Sequence, residues 1–470
     1  VITAKAFAGK HYAVYGLARS GLATAEALLA SGAKVTAWDD KEEARRALSS
    51  SLRAKLVGRG TSEAGGGAEN AAAIYPSTVH SSVNGSPPHA PHGEELTIAK
   101  LDEADLSQFD SLVVTPGLPL NRHPIAQRAR EAGVEIIGDI ELFARARPEL
   151  PPHKVVGITG TNGKSTTTAL VHHILKTAGV PSAMGGNIGL PILAQDPLPE
   201  GGIYVLELSS YQLDLTQSLD CDVAVLLNIT PDHLDRYASF EAYAASKARL
   251  FEMQDPSNYG LVGTSTDAAV AVFGSFPRTC LIALEPWLPD LNRYPALPGI
   301  HNLENLAAAS YVCSSLAIGL SQDAIERGLN SFPGLPHRTE RIREKDGVAF
   351  VNDSKATNPN ATAPALAAFE KIRWICGGQA KTDNLDECSA FFGHVRKAYT
   401  IGQASELFAS LLSPHMAVAE CETLERAVRA AAVEAEAGDT VLLSPACASF
   451  DQFRDFEDRG DQFRHQVEGL

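Results

Sequence analysis

Short apolar runs recur along this chain, each cut off by glycine, proline or a small polar residue and then followed by a stretch of helical periodicity. Residues 12–15, 34–38, 111–114, 155–158, 203–208 and 223–229 form such runs, and residues 348–351, 373–376, 399–401 and 440–443 repeat the arrangement. The runs at 203–208 and 223–229 are mostly apolar and do not alternate, so they predict strands covered on both faces, as in a parallel sheet. Helical patterns are expected from Lys164 towards Gly179, over 240–253 and over 301–320. The fold class is α/β.

Two breaks divide the pattern. Pro148 and Pro151-Pro152 read as a linker, and Gly334-Leu335-Pro336-His337-Arg338 reads as a second boundary. Three α/β domains in series follow: a Rossmann-like domain over 1–150, a phosphate-loop domain with a mostly parallel sheet over 151–335, and a second Rossmann-like domain over 336–470. Residues 51–95 turn to Ala, Gly, Ser, Pro and His, and cannot bury enough apolar area to offset their ordering entropy. A mobile surface insertion is expected there. Its His80, His89 and His92 are read as loop residues in preference to metal ligands.

The sharpest chemical signal is Val155-Val156-Gly157-Ile158-Thr159-Gly160-Thr161-Asn162-Gly163-Lys164-Ser165-Thr166. A strand, a glycine-rich turn and a helix N-terminus make an anion site, since freed N–H groups and the helix dipole both face a phosphate. Lys164 would reach the β- and γ-phosphates, and Ser165 would offer its hydroxyl to Mg²⁺. Ile158 stands where the usual pattern has its first glycine, with Gly157 and Gly160 beside it. In the first segment, Gly16-Leu17-Ala18-Arg19-Ser20-Gly21 links two strands, the second ending at Asp39. That is either a nucleotide-reading βαβ unit or an ordinary tight turn. Thr115-Pro116-Gly117 follows a strand at the end where such sheets bind ligands.

Composition narrows the class. A formal net charge of −16, without a compensating basic stretch, argues against nucleic acid as the main partner. With 44% hydrophobic and 20% charged residues, and no apolar run long enough to span a bilayer, a soluble cytoplasmic protein is expected. Seven scattered cysteines without paired spacing indicate neither a disulfide framework nor a zinc knuckle.

The residues 160–165, Glu207-Leu208-Ser209-Ser210, Asn228-Ile229-Thr230-Pro231-Asp232-His233-Leu234-Asp235, His301-Asn302 and Asn352-Asp353-Ser354-Lys355-Ala356-Thr357 together resemble the Mur ligases. The resemblance covers nearly the whole chain, and residues 443–453 with Phe456 and Gly460 are similar to the D-glutamate-adding branch. It departs at the long 51–95 insertion and at Ala18-Arg19-Ser20.

It implies an ATP-dependent ligase of peptidoglycan precursor synthesis, joining D-glutamate to UDP-N-acetylmuramoyl-L-alanine through an acyl phosphate. ATP would lie on Gly160, Thr161, Asn162, Gly163, Lys164, Ser165 and Thr166, with Asn302, Asn305, Arg338 and Asp353. Two Mg²⁺ ions are implied, one on Ser165 and Glu207, the other on His233 and a carbamylated Lys247. By sequence alone Lys247 would be a solvated helix charge. Ala18, Arg19, Ser20, Asp39, Thr115, Pro116, Gly117, Asn187 and His233 would hold the UDP-sugar. Thr357, Lys381, Ser449 and Phe456 would hold D-glutamate, and a monomer is expected. Rivals are another Mur-type or folylpolyglutamate-type ligase, a dehydrogenase, and a non-enzymatic nucleotide switch.

Overall fold

The computed structural model describes residues 1–59, 96–233, 235–284, 293, 294, 296, 297, 299 and 301–470. Its strands form three sheets. The first holds β1 (His11–Tyr15), β2 (Lys34–Trp38), β3 (Leu96–Ile98), β4 (Ser111–Val114) and β5 (Glu135–Ile137) in the order β3-β2-β1-β4-β5. Every pair in it is parallel. The second holds β6 (His153–Thr159), β7 (Ser182–Gly186), β8 (Gly202–Glu207), β9 (Val223–Leu226), β10 (Tyr259–Val262) and β11 (Thr279–Leu281) in the order β11-β10-β9-β6-β8-β7. The third holds β12 (Glu340–Lys345), β13 (Val348–Asn352), β14 (Ile372–Gly377), β15 (Val395–Ile401), β16 (Ala417–Glu422) and β17 (Thr440–Leu443) in the order β12-β13-β17-β14-β15-β16.

The apolar runs became central strands because both their faces are covered. β4, β8, β9 and β17 are buried at every position. The expected α/β class with mostly parallel sheets is what the chain adopts. The exception is β12, which pairs antiparallel with β13 at the sheet edge and carries Glu-Arg-Ile-Arg-Glu-Lys. A charged edge strand resists pairing with another chain, and the same charges hide it from a search for apolar runs.

Helix ends differ from expectation for identifiable reasons. The helix His301–Ser315 stops short of residue 320, where Ala317 and Gly319 take positive φ (51° and 76°) and end the α-helical path. The helix Glu42–Arg59 runs through Ser51, so the first nine residues of the 51–95 insertion are helical backbone. The remainder of that insertion, with His80, His89 and His92, lies outside the described residues.

Packing divides the chain into two compact units. One comprises Val1–Thr159, Pro181–Ala224 and Thr230–Asn258; the other comprises Gly160–Val180, Val225–Ile229 and Tyr259–Leu470. In the first unit, Ala13, Tyr15, Leu112, Val114, Ile125 and Leu215 belong to one core. Its helix Asp139–Ala146 is tied down by the buried carboxylate of Glu141, which accepts from Gln217 N (2.7 Å), Ser218 N (2.9 Å) and Arg145 Nε (2.9 Å). In the second unit two cores surround the third sheet, one around Trp374 and Leu442, the other around Tyr399, Val441 and Phe463. Among the described residues no helix is long and apolar enough to cross a membrane.

Candidate active site

In the second unit the helix Lys164–Thr177 begins at Gly163, whose φ of 83° and close approach to Asn305 both exclude a Cβ. A Cβ there would lie 2.2 Å from Asn305 Oδ1. The loop ahead of it is clamped by one residue. Thr161 N donates to Asn228 O (2.8 Å), Asn162 N donates to Asn228 Oδ1 (2.8 Å), and Asn228 Nδ2 donates to Asn162 O (3.2 Å). Lys164 Nζ donates to the carbonyls of Gly160 (2.9 Å) and Thr161 (2.8 Å), which fixes a positive charge at the loop. Helix N-terminus, loop amides and ammonium together form an anion-binding constellation.

Other residues expected around ATP converge on this loop. Arg338 Nη2 donates to Ser165 Oγ at 2.8 Å. Asn305 accepts from Thr167 Oγ1 (3.1 Å) and donates to Asn302 Oδ1 (2.8 Å), so both asparagines support the loop's helix. Asp353 accepts from Thr339 N (3.0 Å) and Ser444 Oγ (2.7 Å), and burial pushes its carboxyl up to about 7. Glu304, which sequence reading passed over, is buried and accepts from Asn228 Nδ2. Lying between Asn302 and Asn305 on a helix's first turn, it carried no signal beyond that of a helix-dipole acid.

The third sheet gathers the residues expected to hold an amino acid. Lys381 Nζ donates to Thr357 Oγ1 at 3.2 Å. The segments carrying Lys381 and Ser449 are joined by reciprocal backbone bonds of 2.9 Å between Gln379 and Ala448. Ser449 is buried, and Phe456 opens the helix Phe456–Glu468, where Asp455 caps Asp458 N at 2.7 Å. Arg459, also missed, is 0% exposed and binds these loops together. Its guanidinium donates to Ser354 Oγ (2.9 Å), Ser354 O (2.8 Å) and Cys447 O (3.1 Å), and burial lowers it to about 10.

The first unit holds the remaining residues. Asp39 accepts from Leu17 N (2.7 Å) and Lys41 N (2.8 Å), so it closes the Gly16–Gly21 turn. A Cβ on Gly16 would lie 2.4 Å from Thr115 Oγ1, so the missing side chain allows that loop to approach. Ala18 is the N-cap of the helix Arg19–Ala30, which includes Ser20, and Arg19 Nη2 donates to Gly189 O at 2.8 Å. Asn187 Nδ2 donates to Glu207 Oε1 (2.8 Å). Glu207 is 2% exposed, and its Oε2 has no hydrogen-bond partner among the described residues. An oriented, buried carboxylate oxygen of this kind is a hard donor suited to a cation.

His233 and Lys247 meet on one aromatic ring. His233 is exposed with φ 55°, and its ring centroid lies 6.2 Å from that of Tyr243 and 4.9 Å from that of Tyr211. Lys247 is 1% exposed with Nζ 4.6 Å from the Tyr243 centroid. It is therefore no solvated helix charge. Arg236 extends the group: its guanidinium lies 4.3 Å from the Tyr211 centroid and donates to Leu118 O (2.8 Å) and Gly117 O (3.3 Å) of the Thr115-Pro116-Gly117 loop.

A phosphate loop opening a helix beside parallel strands, with Arg338 from the segment ahead of β12 donating to Ser165, defines a nucleotide-binding α/β protein of the phosphate-loop class. Residues 158–275 match the Mur ligase middle domain, and residues 337–447 match the Mur ligase, glutamate ligase domain. Two relatives carry the name UDP-N-acetylmuramoylalanine--D-glutamate ligase. That of Novosphingobium aromaticivorans is 53% identical over 475 residues, covering 100% of this chain and 97% of its own. That of Sphingopyxis alaskensis is 52% identical over 479 residues, covering 100% of both. The chain belongs to the Mur ligase family.

Two solved structures share the fold. The MurF ligase of Thermotoga maritima in complex with ADP gives a TM-score of 0.56 at 18% identity, covering 74% of this chain and 92% of its own. The UDP-N-acetylmuramate-alanine ligase of the same organism gives 0.55 at 16% identity, covering 98% and 99%.

Proposed function

We propose that this chain is the ATP-dependent ligase that joins D-glutamate to UDP-N-acetylmuramoyl-L-alanine in peptidoglycan precursor synthesis. The observation that carries the reading is the donation from Lys381 to Thr357, beside the loop of Ser449, in a chain similar along its whole length to ligases of that name. A glutamate brings two carboxylates and must present a neutral amine. One ammonium and two hydroxyls at the carboxyl ends of β13, β14 and β17 suit the side-chain carboxylate.

The reaction has two halves. A carboxylate oxygen of the UDP-sugar substrate takes the γ-phosphoryl group of ATP, ADP departs, and an acyl phosphate results. The amine of D-glutamate then attacks that carbonyl, the C–N bond forms, inorganic phosphate leaves with the bonding electron pair, and the proton shed by the nitrogen is taken up by the released phosphate. Both partners of the first half are anions, so the site must supply positive charge and orientation.

Within this reading, Gly160, Thr161, Asn162, Gly163 and Thr166 cradle the phosphates, and Lys164 and Arg338 screen their charge. Asn302, Asn305 and Asp353 complete the nucleotide site. Ala18, Arg19, Ser20, Asp39, Thr115, Pro116, Gly117 and Asn187 hold the UDP-sugar. Magnesium, when bound, would neutralise phosphate charge; Ser165 and Glu207 would donate to one ion, His233 and a carbamylated Lys247 to the other. Among the described residues no three His, Cys, Asp or Glu side chains converge as a metal cage. Magnesium takes one or two carboxylates and completes its shell with phosphate and water. Residues 1–150 take the UDP-sugar, 151–335 ATP and 336–470 the amino acid. The setting is cytoplasmic and the enzyme a monomer.

Lys381→Ala tests the amino-acid site. The apparent Michaelis constant for D-glutamate should rise about tenfold or more, as for a lost charge-assisted contact, with that for ATP little changed. An unchanged D-glutamate constant would remove Lys381 from the site.

A further inference from the structure

We propose that Glu304 is a positioning residue for the nucleotide: it fixes the side-chain amide of Asn228 and, through it, the backbone of Asn162. The proposal rests on the reading that this loop binds ATP. Glu304 Oε2 accepts from Asn228 Nδ2 and from Ser265 Oγ, each at 3.0 Å, while Oε1 faces Ser265 N at 3.4 Å. An ionised carboxylate only accepts, so the NH₂ end of Asn228 must face it. That choice leaves Oδ1 of Asn228 to accept from Asn162 N, while Nδ2 also donates to Asn162 O. With the amide reversed, Oδ1 would oppose both Glu304 and Asn162 O, and two donors would confront each other at Asn162 N.

Two further observations separate this role from that of an ordinary acid on a helix's first turn. Glu304 is buried, and burial raises its pKa, so the carboxylate sits where it incurs a desolvation cost. The backbone also makes room for it. A Cβ on Gly263 would lie 2.3 Å from Glu304 Oε1 and 1.9 Å from Leu227 O. The same helix turn places Asn305 Oδ1 against Gly163, so one turn supports the phosphate loop at both ends.

The test compares Glu304→Ala, Glu304→Gln and wild type by three measurements: equilibrium binding of ATP, Michaelis constants for all three substrates, and amide hydrogen exchange at Asn162. Glu304→Ala should weaken ATP binding about tenfold or more, the usual consequence of losing a hydrogen bond to a charged group. Exchange should accelerate at the Asn162 amide, and the constants for D-glutamate and the UDP-sugar should hold. Glu304→Gln keeps an oxygen facing Asn228 and should bind ATP within about threefold of wild type. If Gln is as damaging as Ala, the charge itself acts and the positioning role is wrong. Unchanged binding in Glu304→Ala overturns it too, as does a parallel loss of all three constants with melting temperature. Should Glu304→Ala fail to fold, Glu304→Asp, one methylene too short to reach, must show the same selective loss. Failure of wild type to bind ATP would sink the underlying reading; normal wild-type binding with an indifferent Glu304→Ala would sink only this inference.

Discussion

Lys247 is 1% exposed, with its amine 4.6 Å from the Tyr243 ring centroid. Burying an ammonium to this extent carries a desolvation cost. A carbamate would turn the side chain into an oxygen donor on the same aromatic platform as His233. Lys247→Ala is therefore expected to be inactive, and millimolar formate or acetate to restore part of the rate. Full activity without added acid would exclude the role. Glu207 could be singled out in the sequence because an acid ending an apolar strand is unusual, and its Oε2 is indeed buried without a hydrogen bond. Glu304 and Arg459 could not. Their partners Asn228 and Ser354 lie 76 and 105 positions away, and no local pattern announces a buried charge whose partners arrive only on folding.

The helix Asp139–Ala146 gives the element scale a pH signature. Burial pushes the Asp139 carboxyl up to about 6, and its Oδ2 has no hydrogen-bond partner among the described residues. Because the folded pKa lies above the unfolded one, the stability this group supplies is fully present below about pH 4. It is lost as pH rises through about 6. Asp139→Asn cannot titrate, so relative to wild type it should gain on the order of 2–3 kcal/mol between pH 4 and pH 8. Urea unfolding of both proteins at the two pH values checks this; parallel pH profiles would contradict it. Elements with a continuous apolar run were legible almost to their ends: β2, β4 and β17 begin and end where the sequence pattern does. β12 was not, since an edge strand of alternating charges needs no apolar run. Nor was the early end of β9 at Leu226, beyond which the backbone turns to serve the loop, with Asn228 O accepting from Thr161 N.

For the whole molecule, the α/β class was readable because parallel strands and crossover helices leave a coarse periodic record. The order of strands within each sheet was not, since insertion of β17 between β13 and β14 depends on pairings that no local stretch encodes. On the proposed reading, activity follows from the pairing of a phosphate loop with a cation-and-hydroxyl site for an amino acid. The most direct test is phosphate release from ATP by the wild-type chain with UDP-N-acetylmuramoyl-L-alanine and a panel of D- and L-amino acids. Release should require the UDP-sugar, occur with D-glutamate, and match amide formed one for one. Equal turnover with L-glutamate, or ATP hydrolysis indifferent to the UDP-sugar, would contradict the account.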